Sequence, residues 1–338
     1  MRLYKETIIY VGCPSYNKTG GTELAHQLVK EICKNGRKAK ILYYDINEKN
    51  KPNEMINPAF RIYVDNYVTV DQVVDERSNI LVIPEINIEV LNRFERIQKS
   101  IWWMSVDNYV KRDGFVNAVK FYGFWKATKL VLKREITIFE KKLTNGVTHL
   151  YQSEYAKKFL LENGITNIAR LSDYLNDTYL NVSSVDLTDR HNNVLYNPKK
   201  GIDFTKKLIA TSSNLNWVPI QNMTTEEVRE LLLHSKVYID FGNHPGKDRF
   251  PREAAISGCC IITGKRGSAA NDIDINIPKK YKFDDTEENI ASIIEKIKFC
   301  LNNYRDASKD YEEYRRSILS EKAEFISDVK KLFIKNNV

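Results

Sequence analysis

The chain has 338 residues, 42% of them apolar, with 52 basic against 44 acidic side chains for a formal charge of +8. That length suits two domains with real cores. The mild, dispersed positive charge fits phosphate-bearing ligands or an anionic membrane surface, and no motif for nucleic acid is present.

The five cysteines (Cys13, Cys33, Cys259, Cys260, Cys300) are odd in number and have no zinc spacing, which suggests a reducing compartment. The first residues do not read as a signal peptide, and no apolar run approaches the roughly 18 residues of a membrane span. A cytoplasmic protein is therefore expected, either free or peripheral on the inner face of the plasma membrane.

Thr7–Val11 reads as a strand, Gly12–Gly21 as a loop, Thr22–Asn35 as a helix stopped by Gly36, and Lys40–Tyr44 as the next strand. This strand, loop, helix, strand order is doubly wound α/β grammar. The loop is one residue from a P-loop: Gly12, four residues, then Asn17-Lys18-Thr19, with Asn17 where the second glycine belongs. An NTPase is therefore a rival reading. No Gly-x-Gly-x-x-Gly is present, which counts against a nicotinamide enzyme. Asn79–Pro84 and Lys99–Met104 are further buried strands, and Asp107 follows the second, where ligands meet in open α/β sheets. A turn or capping residue is the plain alternative for Asp107.

The stretch 111–142 holds nine basic residues against three acidic, interleaved with Phe115, Phe121, Tyr122, Phe124, Trp125 and Phe139. That composition suits an anionic bilayer surface. A core helix with a basic outer face and a base-stacking surface are the alternatives. Thr148–Ala156 leads from a strand into a helix, and His149 there reads as structural.

Residues 176–193 are polar and aperiodic and read as the linker between a first domain (1–175) and a second (194–308). Asn193–Tyr196 restarts a sheet. Asn197-Pro198-Lys199-Lys200-Gly201 then forms a turn before a helix from about Asp203. Thr224-Thr225-Glu226-Glu227 is a capping box.

The strand Val237–Phe241 delivers the most informative stretch, Gly242–Gly264. Pro251 suits the first helical turn, Gly258 the helix end, and Cys259–Thr263 the following strand. Such a unit aims backbone N–H groups and a positive dipole end at an anion. Lys247, Arg249 and Arg252 add charge, and Glu253 is placed to accept from ribose hydroxyls. Arg266–Ala269 is a second loop where backbone N–H groups suit phosphate. Asp272-Ile273-Asp274 spells a metal signature of another fold and is read as loop, so no metal is expected. Residues 287–303 and 309–336 are helical, the last segment (309–338) crossing back to the first domain.

Gly246, Glu253-Ala254, Gly258 and Ile261-Ile262 resemble the nucleotide-sugar site of GT-B glycosyltransferases of the family 4 type. Gly20-Gly21 with Glu23 resembles that family's Gly-Gly-x-Glu segment, and Lys200-Gly201 its diphosphate-binding Lys-Gly. Two departures stand out. The family's first glutamate, eight residues before Glu253, is Pro245 here. The arginine that accompanies Lys-Gly has no counterpart, and Arg249 or Lys247 is expected to supply its charge.

The resemblance implies two Rossmann-like doubly wound domains facing across a cleft. It also implies a retaining, metal-independent transfer from a nucleoside-diphosphate sugar to a glycan or lipid-linked acceptor; the abundant Lys, Asn and Ile suggest an AT-rich bacterial genome and so a place in surface-polysaccharide synthesis. No cofactor is implied. Donor-side residues would be Gly20, Gly21, Asn197, Lys200, Gly246, Lys247, Arg249, Glu253, Gly267 and Ser268. Glu23 and Asp107 would face the acceptor, and Lys200, Arg249 and Asp107 would carry the chemistry. A non-catalytic carbohydrate- or membrane-binding relative is the second rival.

Overall fold

A computed structural model describes residues 1–46, 55–132, 146–180 and 188–335. The chain divides into two compact units, Met1–Asp173 with Ala323–Val338, and Tyr174–Lys322.

The first unit is built on a parallel sheet of β1 (Ile8–Cys13), β2 (Lys38–Tyr43), β3 (Tyr67–Val68), β4 (Ile80–Pro84), β5 (Gln98–Trp103), β6 (Thr148–Tyr151) and β7 (Ile168–Arg170), in the order β3-β2-β1-β4-β5-β6-β7. Parallel strands covered on both faces read as unbroken apolar runs. The Ile-Leu-Val-Ile-Pro of β4 is buried at all five positions. Helix Gly20–Lys34 follows β1, with Thr19 as N-cap and Leu24, Leu28 and Ile32 turned into the core. His26 and His149 are both structural. His26 lies between Thr22 O and the Tyr43 hydroxyl, and His149 Nδ1 accepts from the Trp103 indole at 2.9 Å. Burial pushes the His149 imidazole down to about 4, so it is neutral near pH 7.

The second unit carries β8 (His191–Tyr196), β9 (Asn216–Pro219), β10 (Ser235–Asp240) and β11 (Cys260–Thr263), all parallel, in the order β11-β10-β8-β9. Val194, Leu195, Ile239, Ile261 and Ile262 form its centre, covered by helices Ile202–Thr211, Thr225–Leu233, Arg249–Ile256 and Ile290–Asn302. Ala254 and Ala255 are wholly buried, because small side chains let their helix lie close on the sheet. The Thr224–Glu227 capping box forms, with both reciprocal bonds.

The stretch 176–193, expected as a linker, carries helix Asp177–Leu180 and the start of β8. Its described part is tied into the second unit, where Tyr179 joins the core; residues 181–187 lie outside the described residues. Polar composition concealed the helix, whose one buried side chain is Tyr179, and the first residues of β8. The last long helix, Glu312–Val329, spans the boundary at Lys322 and Ala323. Beyond the boundary, Asp328 accepts from Ser172 and Glu324 pairs with Arg170.

Candidate functional site

In each sheet the chain reverses its winding direction once. In the second unit β8 is followed by β9 on one side, after which the chain crosses to β10 on the other. Ligands of open α/β sheets bind beyond the carboxyl ends of the strands flanking such a switch point. The loops at that position are 197–201 after β8 and 241–248 after β10.

These loops and the one after β11 are in backbone contact. Gly201, at φ +58, lies so close to Phe241 that a Cβ would stand 2.5 Å from its carbonyl carbon and oxygen. Gly267, at φ +59, lies against His244, where a Cβ would meet the carbonyl oxygen at 2.0 Å. Ser268 N–H donates to His244 O at 2.9 Å and its hydroxyl to Gly246 O at 2.6 Å. The sequence-expected residues Asn197, Lys200, Gly246, Lys247, Arg249, Glu253, Gly267 and Ser268 all belong to this loop cluster or the helix it feeds. Asn197 closes its own turn, its Oδ1 accepting from Lys199 N–H.

Helix Arg249–Ile256 starts here, with Asp248 as N-cap and Pro251 in the first turn. Asp248 makes no side-chain capping bond. Its carboxylate is turned instead to the Lys200 ammonium and to His244 Nδ1, which is 3.2 Å away. His244 is completely buried, and its Nε2 stands 3.5 Å from Asp240 Oδ1. Asp240 in turn accepts from the Tyr238 hydroxyl and from Gly242 N–H, each at 2.9 Å. Burial alone would push the His244 imidazole down, but Asp240 and Asp248 outweigh it and its pKa is raised. Burial likewise opposes ionisation of Asp248, yet His244 and Lys200 hold its carboxyl well below the usual carboxylate range.

Asp240, His244 and Asp248 offer ligand atoms within 4.8 Å of one another. The two ring nitrogens, however, face different carboxylates. The imidazole bridges them and does not turn one lone pair, together with both carboxylates, toward a common centre; a proton suits this arrangement better than a metal ion.

Lys247 and Arg252 are engaged elsewhere. Lys247 Nζ lies 2.8 Å from Glu321 Oε1, and Arg252 donates to Glu321 Oε2 at 2.7 Å and to the carbonyls of Lys247 and Asp248. All three side chains are buried or nearly so. A carboxylate from the last long helix thus pins the loop. Asp272 pairs with Lys282, and Asp274 accepts from Asn271, in agreement with the loop reading of Asp-x-Asp.

The remaining expected residues belong to the first unit, whose switch point lies between β1 and β4. Gly20 and Gly21 open the helix after β1, Gly21 facing Met104, and Glu23 accepts from the Tyr63 hydroxyl at 2.9 Å. Asp107 lies in the first turn of helix Val106–Val110 and accepts from the Tyr155 hydroxyl at 2.6 Å. Sequence reasoning passed over Glu85, wholly buried at the end of β4, whose Oε2 accepts from Met104 N–H and whose carboxyl burial pushes up to about 7. The near-P-loop does not form a phosphate cradle. Its amides are turned inward, from Ser15 to Asp45, Tyr16 to Met55 O, Asn17 to Ser15 O and Thr19 to Thr22 Oγ1.

Asp240, His244 and Asp248 were also missed in the sequence. Their signal was the Asp-x3-His-x3-Asp spacing, which suggests one helix face. Here the three sit instead on a strand end, a loop and an N-cap.

In the basic-aromatic stretch, helices Gly114–Tyr122 and Phe124–Leu132 leave Val116, Phe124, Trp125 and Leu132 exposed, Trp125 at 85%. Residues 133–142, with Lys133, Arg134, Phe139, Lys141 and Lys142, lie outside the described residues. Among the described residues no helix is long and apolar enough to cross a membrane.

No family model and no curated protein matches the sequence. Solved structures do match. Sucrose-phosphate synthase from Thermosynechococcus elongatus is similar at a TM-score of 0.61 and 11% identity, over 97% of this chain and 98% of that one. T4 phage BGT, in complex with UDP and Mn2+, gives 0.52 and 13%, over 97% and 99%. TarM of S. aureus, solved with fondaparinux, alpha-GlcNAc-glycerol and UDP, gives 0.55 and 14%; the match covers 78% of this chain but only 57% of TarM. With its two parallel doubly wound sheets, this chain has the GT-B fold of the nucleotide-sugar glycosyltransferases.

Proposed function

We propose that the protein is a glycosyltransferase that moves a sugar from a nucleoside-diphosphate donor, a UDP-sugar in the first instance, to a glycan or lipid-linked acceptor. The observation that carries this reading is the convergence of Lys200, the N-terminus of helix Arg249–Ile256 and three closely packed loops at the switch point of the second sheet.

A nucleoside diphosphate leaves the anomeric carbon through an oxocarbenium-like transition state, so the protein's main task is to stabilise charge growing on the diphosphate. Lys200 and the helix N-terminus would supply that, with Arg249 as the second cation. One such fixed donor is typically worth about 3–4 kcal/mol of barrier. Lys247, engaged with Glu321, suits holding the loop better than holding the donor. Asn197, Gly246, Gly267 and Ser268 would border the phosphates, Glu253 would accept from ribose, and Gly20, Gly21, Glu23 and Asp107 would serve the acceptor side. The reaction would retain anomeric configuration without a metal, the leaving phosphate taking the acceptor's proton. Exposed Trp125, Phe124 and Leu132 beside Lys126 and Lys129 support peripheral attachment to an anionic membrane, where a lipid-linked acceptor for surface polysaccharide would reside.

The test is a thermal-shift screen of UDP, GDP, ADP, CMP and dTDP with and without EDTA. A ligand at 100 times its dissociation constant stabilises by about 2.7 kcal/mol. One nucleoside diphosphate is expected to stabilise the wild type equally in EDTA, and Lys200→Ala to lose both that shift and sugar transfer. Stabilisation by ATP and magnesium alone, lost in Lys18→Ala, would favour the NTPase. Glycan binding without donor hydrolysis would favour the non-catalytic relative, for which the proline at 245 and the absent arginine speak.

A further inference from the structure

Lys200 is the end of a buried relay. Asp240 is fixed by Tyr238 and Gly242, His244 stands between Asp240 and Asp248, and Asp248 holds Lys200. Two features of this relay need a cause. Asp248 is an N-cap residue that forgoes the capping bond its type ordinarily makes. His244 is wholly buried, with no hydrogen bond of good geometry to either ring nitrogen and a carboxylate opposite each.

A neutral imidazole carries one N–H. Between two carboxylates it would donate to one and turn a lone pair on the other. An imidazolium donates to both, and with Lys200 it makes the group of two cations and two anions neutral. The charged or titratable groups around it are Lys200 from the loop after β8, Asp240 from β10 and Asp248 from the helix start. Beyond them lie the buried phenols of Tyr238 and Tyr314, which burial and the Asp248 charge keep protonated.

We infer that His244 is a positioning residue of the donor site: as an imidazolium it neutralises and fixes Asp248, so that Asp248 presents Lys200 to a diphosphate and does not compete for it. The inference rests on the proposed donor role of Lys200. When His244 loses its proton, the ring turns a lone pair on one of the two carboxylates, and Asp248 no longer faces an imidazolium. It then holds Lys200 as its remaining cation and repels the incoming anion. Diphosphate binding should therefore weaken as pH rises through the His244 ionisation, which lies above the ordinary histidine value because the two carboxylates outweigh burial.

The experiment measures binding of UDP and of inorganic pyrophosphate, a base-independent probe, by calorimetry from pH 6 to 9. The wild type should weaken about tenfold across the range, with Lys200→Ala weak throughout. His244→Gln should bind about tenfold more weakly at pH 6 and show a flat profile. Adding Asp248→Asn to His244→Gln should restore most of the affinity, which loss of packing alone would not allow. Wild-type affinity in Lys200→Ala would overturn the donor-site reading itself. Loss in Lys200→Ala together with an unchanged profile in His244→Gln would overturn only the role of His244. Should His244→Gln not fold, the imidazole carbon resonance of His244 in the wild type decides: a neutral ring at pH 6 overturns the inference, and a charged ring whose deprotonation tracks the loss of pyrophosphate binding supports it.

Discussion

Replacing Glu321 by alanine removes a carboxylate that Lys247 and Arg252 share. The two contacts are 2.8 and 2.7 Å long, and side-chain exposures are 6% for Glu321, 12% for Lys247 and 0% for Arg252. At an effective dielectric of about 20, each contact is worth roughly 6 kcal/mol before desolvation. Burial cancels much of that in the intact group. Removing one partner leaves the burial cost of the others in place, and the measured loss in such cases is about 3–5 kcal/mol. Arg252 keeps the carbonyls of Lys247 and Asp248, which places the expectation near 4 kcal/mol. Urea unfolding should be followed on the second unit alone. Trp217 serves for this, since Trp102, Trp103 and Trp125 belong to the first unit. Fluorine NMR of fluorotryptophan-labelled protein resolves its signal. Glu321→Gln, which keeps an acceptor oxygen, should lose less than Glu321→Ala. A loss under about 1 kcal/mol, the worth of an exposed pair, would refute the claim that this carboxylate anchors the loop.

Three further outcomes are expected. Gly201→Ala forces a Cβ against the Phe241 backbone at a positive φ and should cost about 1–3 kcal/mol and weaken pyrophosphate binding; wild-type urea midpoint and affinity would refute the close packing of the two loops. The Glu85 carboxyl, pushed up from 4.5 to about 7 by burial, contributes stability that is full below pH 4.5 and lost as pH rises through 7. The loss is about 3 kcal/mol at 1.36 kcal/mol per unit, and urea midpoints of Glu85→Gln should lack it; parallel pH curves for the two proteins would contradict this. Trp125→Ala with Leu132→Ala should reduce sedimentation with phosphatidylglycerol vesicles at least tenfold, because each buried side chain is worth about 1.5–3 kcal/mol, and unchanged sedimentation would remove the membrane from the proposal.

The strands and the principal helices were legible in the sequence because their signals are local. The all-apolar run of β4, the Thr224–Glu227 capping box, and Gly36 and Gly258 at helix ends with positive φ each depend on a few adjacent residues and their backbone preferences. The alternation of these elements also gave the doubly wound class, since a strand followed by a helix must cross over to a parallel neighbour. The family resemblance brought Lys200 and Gly246 forward as candidates, and charge and loop composition brought Arg249 and Gly267. What those side chains face was decided only by the fold. Charge alone left Arg249 and Lys247 as equal candidates for the missing arginine, yet Lys247 turns to Glu321, 74 residues further along the chain, while Lys200 turns to Asp248. The Asp240–His244–Asp248 relay has helical spacing without a helix, so its spacing carries no sign of the contact. Ion pairing in a low-dielectric interior depends on distances of a few ångströms between residues far apart in sequence, and a linear pattern does not carry those distances.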